Sequence, residues 1–165
     1  MTQNKDSGNA KDDSIQLCTF EINKRIFGID LLDVREVSQK PQATPIFHAS
    51  PVVSGYINIR GEIHLLLDLR VILGQQTDSS LKSQCVIIFK PNVGELFGSI
   101  VDSVRGVITI GSDEIENYQA FKSVDHSDDH HSALNSIASG VCKMKGYLIT
   151  ILDSRKFLGT INNAS

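Results

Sequence analysis

Apolar and polar residues alternate along much of the chain, first at Ile15-Gln16-Leu17-Cys18-Thr19-Phe20-Glu21-Ile22. A period of two is the mark of a half-buried strand. Arg25 to Ile29 reads as its hairpin partner and Val34-Arg35-Glu36-Val37 as a third strand. A stretch spaced by Pro41, Pro45 and Pro51 follows. It cannot pair as a central strand, because proline has no amide donor. Gly55 to Arg60 and Ile63 to Leu67 read as a hairpin turning at Gly61-Glu62. Asp68 then caps a short helix that stops at Leu73-Gly74. After a polar loop over 75–83, the β pattern resumes at Cys85 to Phe89 and at Leu96 to Val101. Many short strands separated by turn residues predict an all-β barrel or sandwich.

The chain also repeats itself. Ser54 to Gly74 lies over Ser139 to Gly159 at an offset of 85 without gaps, and eight of 21 positions are identical. Phe27-Gly28 with Val34 to Val37 lies over Phe97-Gly98 with Val104 to Val107 at an offset of 70. The difference of 15 must be an insertion between Val107 and Ser139. Collinear matches of this kind predict two similar lobes, roughly 15–80 and 84–160, each closed by a short helical turn. A groove between the lobes is the expected place for a ligand or partner.

Composition narrows the function classes. Residues 1–14 are polar and read as a disordered tail, and 161–165 as a short C-terminal one. No apolar run is long enough to span a bilayer, and the N-terminus lacks the apolar segment of a signal peptide, so a cytoplasmic location is expected. A net charge of −3 argues against a general nucleic-acid binder and against direct insertion into anionic membranes. Cys18, Cys85 and Cys142 sit in apolar runs without CxxC spacing and read as reduced core thiols.

Candidate chemistry is sparse. Asp68 and Asp153 could be paired carboxylates, but as repeat equivalents ahead of helical turns they read as caps. Asp102 is expected to end a strand or bind turn amides. His64 reads as structural. Asp125-His126-Ser127-Asp128-Asp129-His130-His131 is the one metal candidate, with His126 and His130 on one face if helical. It lies in the insertion without apolar periodicity and reads as a solvated loop, so no metal or cofactor is expected. A small metal-dependent hydrolase using this loop is the competing enzyme reading.

Taken together, Val34-Arg35-Glu36-Val37, the run from Val53 through Asn58-Ile59-Arg60-Gly61 to Ile63, Leu67-Asp68-Leu69-Arg70, and Gly98 to Val104 resemble CheW, the adaptor of bacterial chemotaxis arrays. The resemblance covers about 15–160. It implies two intertwined, five-stranded, SH3-like barrel lobes and no catalysis. It also implies two partners, the cytoplasmic tip of a chemoreceptor and the regulatory domain of the histidine kinase CheA. An adaptor for a pilus or biofilm kinase pathway fits the same residues. The related CheV adaptors carry an added receiver domain, for which this chain is too short.

The repeat places Gly106 where Glu36 stands and Lys145 where Arg60 stands. An ion pair between Glu36 and Arg60 near the lobe interface is therefore expected, and the resemblance implies that it serves assembly. Val34, Ile57 and Ile59 are expected to add apolar receptor-binding surface in or beside the groove. The resemblance implies a kinase-facing edge from Ala43, Thr44 and Ile46 up to Gly55.

Overall fold

The computed structural model describes residues 13–39, 42–75, 84–124 and 132–163. Eleven strands form: β1 Ser14–Ile22, β2 Arg25–Asp30, β3 Val34–Gln39, β4 Val53–Ile59, β5 Glu62–Asp68, β6 Cys85–Phe89, β7 Phe97–Val101, β8 Ser103–Gly111, β9 Ile115–Asn117, β10 Ala138–Met144 and β11 Tyr147–Leu152. Three short helices accompany them: α1 Leu69–Ile72, α2 Tyr118–Val124 and α3 Ser132–Ile137. The chain is mostly β, as its periodicity predicted. The start and end shift slightly: β1 begins at Ser14, and a 3₁₀ turn over Leu158–Asn163 takes in residues assigned to the C-terminal tail.

The strands form a six-stranded sheet, β8-β1-β2-β11-β10-β9, and a five-stranded sheet, β3-β6-β7-β5-β4. The boundary between the repeats, near residues 80–84, is therefore not a boundary between the lobes. Each lobe takes its first two strands from one repeat and its other three from the opposite repeat. The reason is topological. β2 pairs with β11, and β5 with β7, in parallel, and parallel neighbours cannot be joined by a tight turn. Periodicity reveals strands but not their partners. The sixth strand, β9, belongs to the insertion, which also forms α2 and α3. The His- and Asp-rich stretch 125–131 lies outside the described residues, as do 1–12.

Register shows how faithfully the repeat is kept. Thr150 faces Phe27 and Ile151 faces Gly28; Leu65 faces Phe97 and Leu66 faces Gly98 at the equivalent places. Bulges also recur. One sits between Val53 and Gly55 and again between Ala138 and Gly140. Another falls at Arg35 and again at Arg105.

Apolar side chains collect in three cores. Ile57, Ile59, Leu66, Val86, Ile88 and Ile100 fill the five-stranded lobe. Leu17, Ile110, Cys142, Ile149 and Ile151 fill the six-stranded lobe. The largest core lies between the sheets and joins Phe20, Phe27 and Ile29 of one to Leu67, Phe89 and Phe97 of the other. Phe89 and Phe97 stack there, with centroids 4.6 Å apart. The lobe junction is thus largely filled rather than an open groove. A cavity of about 370 Å³ remains between α1 and α3, bounded by Val71, Ile72, Ala133, Ser136 and Thr160. Cys18 and Cys142 are buried and all three cysteines are free. Burial pushes the Cys18 and Cys142 thiols up, away from the reactive thiolate.

Polar contacts fasten the points where the chain changes lobe. Asp68 and Asp153 are caps, accepting from the Arg70 and Arg155 amides at 3.0 and 3.1 Å. Arg155 reaches across to buried Asp33, just before β3, at 2.9 Å, and Ser154 donates to the same carboxylate at 2.6 Å. Arg70 binds its own cap, Asp68, with two bonds at 2.9 and 2.7 Å, and lies 3.9 Å from Asp102 just before β8. Asp102 accepts from the Asn23 amide in the β1–β2 turn at 2.7 Å, the role its position predicted.

Candidate protein-docking surface

The expected ion pair forms. Arg60 Nη2 stands 3.1 Å from Glu36 Oε2. It does not bridge the lobes, because both residues belong to the five-stranded sheet. Glu36 is on β3 and Arg60 in the β4–β5 turn, and these are the two edges of that sheet. The pair therefore ties edge to edge where the sheet curls back on itself. A second pair, Arg35 with Glu62, links β3 to β5 beside it. The bulge at Arg35 lets consecutive residues Arg35 and Glu36 each meet a partner.

Arg60 carries a backbone signal too. Its φ is 53°, in the left-handed region, and Gly61 follows at φ 89°. A non-glycine residue there is uncommon and carries strain. The Asn58 side chain accepts from the Gly61 amide at 2.8 Å and holds the turn. The guanidinium is consequently fixed at its root and 77% exposed at its head.

Beneath these four charges lies His64, fully buried, with both ring nitrogens lacking a hydrogen-bond partner. Its Nε2 is 3.9 Å from Glu62 Oε2. Burial pushes its pKa below the usual imidazole value, against the opposite pull of Glu62. The Arg35 hydrogen bond and charge hold the Glu62 carboxyl below the usual carboxylate range.

The apolar assignments need correction. Ile57 and Ile59 point into the core, while Tyr56, Asn58 and Arg60 between and beyond them are exposed. Alternation required one face to be buried, but did not say which. Val34 is half-buried and packs on the inter-lobe core. Ahead of it Leu32 is 73% exposed, a residue that the β pattern had not singled out.

The proline-spaced segment lies along the outer edge of β4. Thr44 and Tyr56 exchange two backbone hydrogen bonds, both 2.8 Å. This contact explains Gly55, which is buried with φ 138°. A Cβ there would lie 2.2 Å from the Thr44 carbonyl oxygen. Thr44 is exposed, while Ala43 and Ile46 are half-buried. Phe47 is 89% exposed and was overlooked in the sequence, although an aromatic just after Pro45-Ile46 in an otherwise polar connection was the available clue. Among the described residues, no group of three or more His, Cys, Asp or Glu side chains is placed to hold a metal.

Known proteins share this fold. A family model described as CheW-like domain matches residues 16–162. The chemotaxis protein CheW of Rhizobium meliloti (strain 1021) is 25% identical over 138 residues, covering 84% of this chain and 83% of the relative. That of Thermotoga maritima is 28% identical over 146 residues, 88% and 89% of the two chains. The crystal structure of the scaffolding protein TtCheW from Thermoanaerobacter tengcongensis superposes with a TM-score of 0.70 at 26% identity, covering 84% of this chain and 88% of that one. Repeat, strand exchange and comparisons agree over the same residues, and the chain belongs to the CheW-like domain family of chemotaxis adaptors.

Proposed function

We propose that this chain is a non-enzymatic adaptor that couples a chemoreceptor's cytoplasmic tip to the CheA regulatory domain. The observation that carries this reading is the Glu36–Arg60 pair, set on a strained turn and exposed on a family member that pairs two like lobes. The two-residue β4–β5 turn itself requires positive φ at Arg60 and Gly61, so the weight of the reading rests on the exposed guanidinium and its Glu36 partner. Glu36 and Arg60, with half-buried Val34 and exposed Leu32 beside them, form the receptor-facing surface. Ile57 and Ile59 act from below, as the core that holds the β4–β5 turn in place.

The kinase-facing edge is the Ala43–Ile46 segment, seated on β4 through Thr44 and Gly55. Exposed Phe47 and Tyr56 supply its aromatic contacts. Aromatic residues are enriched in the centres of protein interfaces. We place the working protein in the cytoplasm. Among the described residues no helix is long and apolar enough to cross a membrane.

A pull-down with a receptor tip fragment and the kinase regulatory domain tests the reading. Arg60→Glu should keep the fold but lose receptor binding, and the exchange Glu36→Arg with Arg60→Glu should restore the ion pair but only part of the binding. Full retention of receptor and kinase binding by Arg60→Glu would refute the assignment.

A further inference from the structure

We propose that His64 makes the receptor-facing charges acid-sensitive: a proton gained by its ring draws Glu62 off Arg35, and the freed Arg35 unsettles the Glu36–Arg60 pair. The consequence for binding rests on the receptor-facing assignment of that pair made above.

His64 has no exposed surface, and neither ring nitrogen has a hydrogen-bond partner. A buried polar group left this way costs stability. The lobe interior does not ask for it. The repeat places Ile149 at the equivalent position, within the apolar core of the six-stranded lobe. The carboxylates go with the imidazole. Tyr147 stands where Glu62 stands, and Gly106 where Glu36 stands. One lobe thus carries the histidine with both glutamates, and the other carries none of the three.

Few charges frame the ring. Across the β4–β5 ladder it faces buried Ile57. Glu62 of its own strand, with Arg35 and Glu36 of β3, act on it. Arg60, in the β4–β5 turn, joins them through Glu36. The Glu62 Oε2 atom that lies 3.9 Å from His64 Nε2 is the one that accepts from Arg35 Nη1. A single oxygen therefore stands between two cations-to-be. At neutral pH the ring is uncharged, because burial holds its pKa below the usual 6.5, and Arg35 keeps Glu62. Once protonated, the ring needs a partner, since an unpaired buried charge is costly. Closing 3.9 Å to the roughly 2.8 Å of a charge-assisted hydrogen bond moves the carboxylate about 1 Å inward. Arg35 is then left beside Glu36, its neighbour in sequence, and competes with Arg60 for it. The mostly exposed Arg60 head loses its anchor. The sign follows from these steps. The binding arrangement is complete above about pH 6.5 and is lost as pH falls through the lower folded pKa of His64. By linkage, receptor binding must lower that pKa further.

The test reads the switch first in the free chain, by NMR. Side-chain resonances of Arg35 and Arg60 should shift with the midpoint of the His64 ring signal while the chain stays folded. In His64→Ile and in Glu62→Gln they should not move in that window. The second arm measures affinity for a receptor tip fragment over the same pH range. Wild-type binding should weaken on acidification, by about tenfold for each pH unit by which the fragment lowers the His64 pKa. Binding by His64→Ile should be level there. Arginine resonances that ignore the His64 midpoint would overturn the proposal. An equal acid loss of binding in His64→Ile would do the same. So would unfolding that coincides with the titration, since the ring would then gain its proton only in the unfolded chain. Arginines that follow His64 in a chain that binds no receptor fragment at any pH would confirm the rearrangement and overturn the receptor assignment instead.

Discussion

The two lobes share strand order, bulge positions and capping aspartates, yet they differ at equivalent points in charge, backbone and burial. Glu36 faces Arg60 in the five-stranded lobe, whereas Gly106 and Lys145 occupy those places in the other. The exchange at 36 and 106 has a local cause: Gly106 adopts φ 133°, which favours glycine, and Glu36 does not. A difference between repeats is therefore not by itself a sign of function. Arg60 is the stronger case, because its guanidinium is exposed and engages Glu36.

The largest expected effect separates the two arginines that follow the caps. Arg70 is nearly buried against Asp68, and the bonds to Asp68 raise its pKa further. Arg70→Met should destabilise by roughly 3–5 kcal/mol, since it strands a buried carboxylate. Arg155 is 55% exposed. Arg155→Met also leaves a buried carboxylate, Asp33, but one that keeps the Ser154 hydroxyl bond, so it should cost less, about 1–3 kcal/mol in denaturant unfolding. Equal losses would show that the lobes do not differ here.

Next come the bulge glycines. Gly55→Ala drives a Cβ into the Thr44 carbonyl at a positive φ. A loss of about 3 kcal/mol is expected from the strain and the displaced segment. Gly140 has no positive φ, and its nearest obstacle is the Ile115 side chain. Gly140→Ala should cost less, and the ratio of the two losses measures how firmly the 43–46 segment is seated.

The third contrast is His64 against Ile149. The folded-state pKa of His64 is lowered from 6.5 by burial, so the unfolded chain binds more protons in the window beneath that value. Its contribution is fully favourable above about pH 6.5, declines as pH falls toward the folded pKa, and is level below it. Glu62 and Glu36 oppose the shift, and Arg35 reinforces it. His64→Ile should stabilise the fold by about 1–2 kcal/mol, by removing two unpaired ring nitrogens, and should flatten the loss of Tm between neutral and mildly acid pH. An unchanged pH profile would show that another group sets it.

The smallest effect is the most telling for function. Arg60→Gly relieves the left-handed backbone and should change stability by less than about 1 kcal/mol, in the favourable direction unless the exposed ion pair offsets it. Receptor binding should nevertheless fall. A stable variant with intact binding would move the site elsewhere on the five-stranded lobe.

Period-two alternation was enough to place most strands within one or two residues, from β1 to the hairpin of β4 and β5, because that signal is local. The repeat likewise identified Asp68 and Asp153 as caps, since capping depends on the next two residues. Direction was harder. Ile57 and Ile59 alternate with Tyr56 and Asn58, and either face could have been the core until β7 was seen beside β5. Phe47 and Leu32 sat outside any periodic run, so alternation did not mark them as exposed.

By itself, the sequence determined an all-β chain of two matched halves, the ends of its hairpins, the capping residues and the likeness to CheW. These follow from neighbours along the chain and from residue identities. Only the tertiary structure decided which strands the halves exchange, that the junction between lobes is packed with phenylalanines, and that four charges gather over a buried His64. The strand exchange depends on pairings between residues as far apart as Leu65 with Phe97 and Ile26 with Ile149. Loop closure leaves such pairings free until the whole core forms.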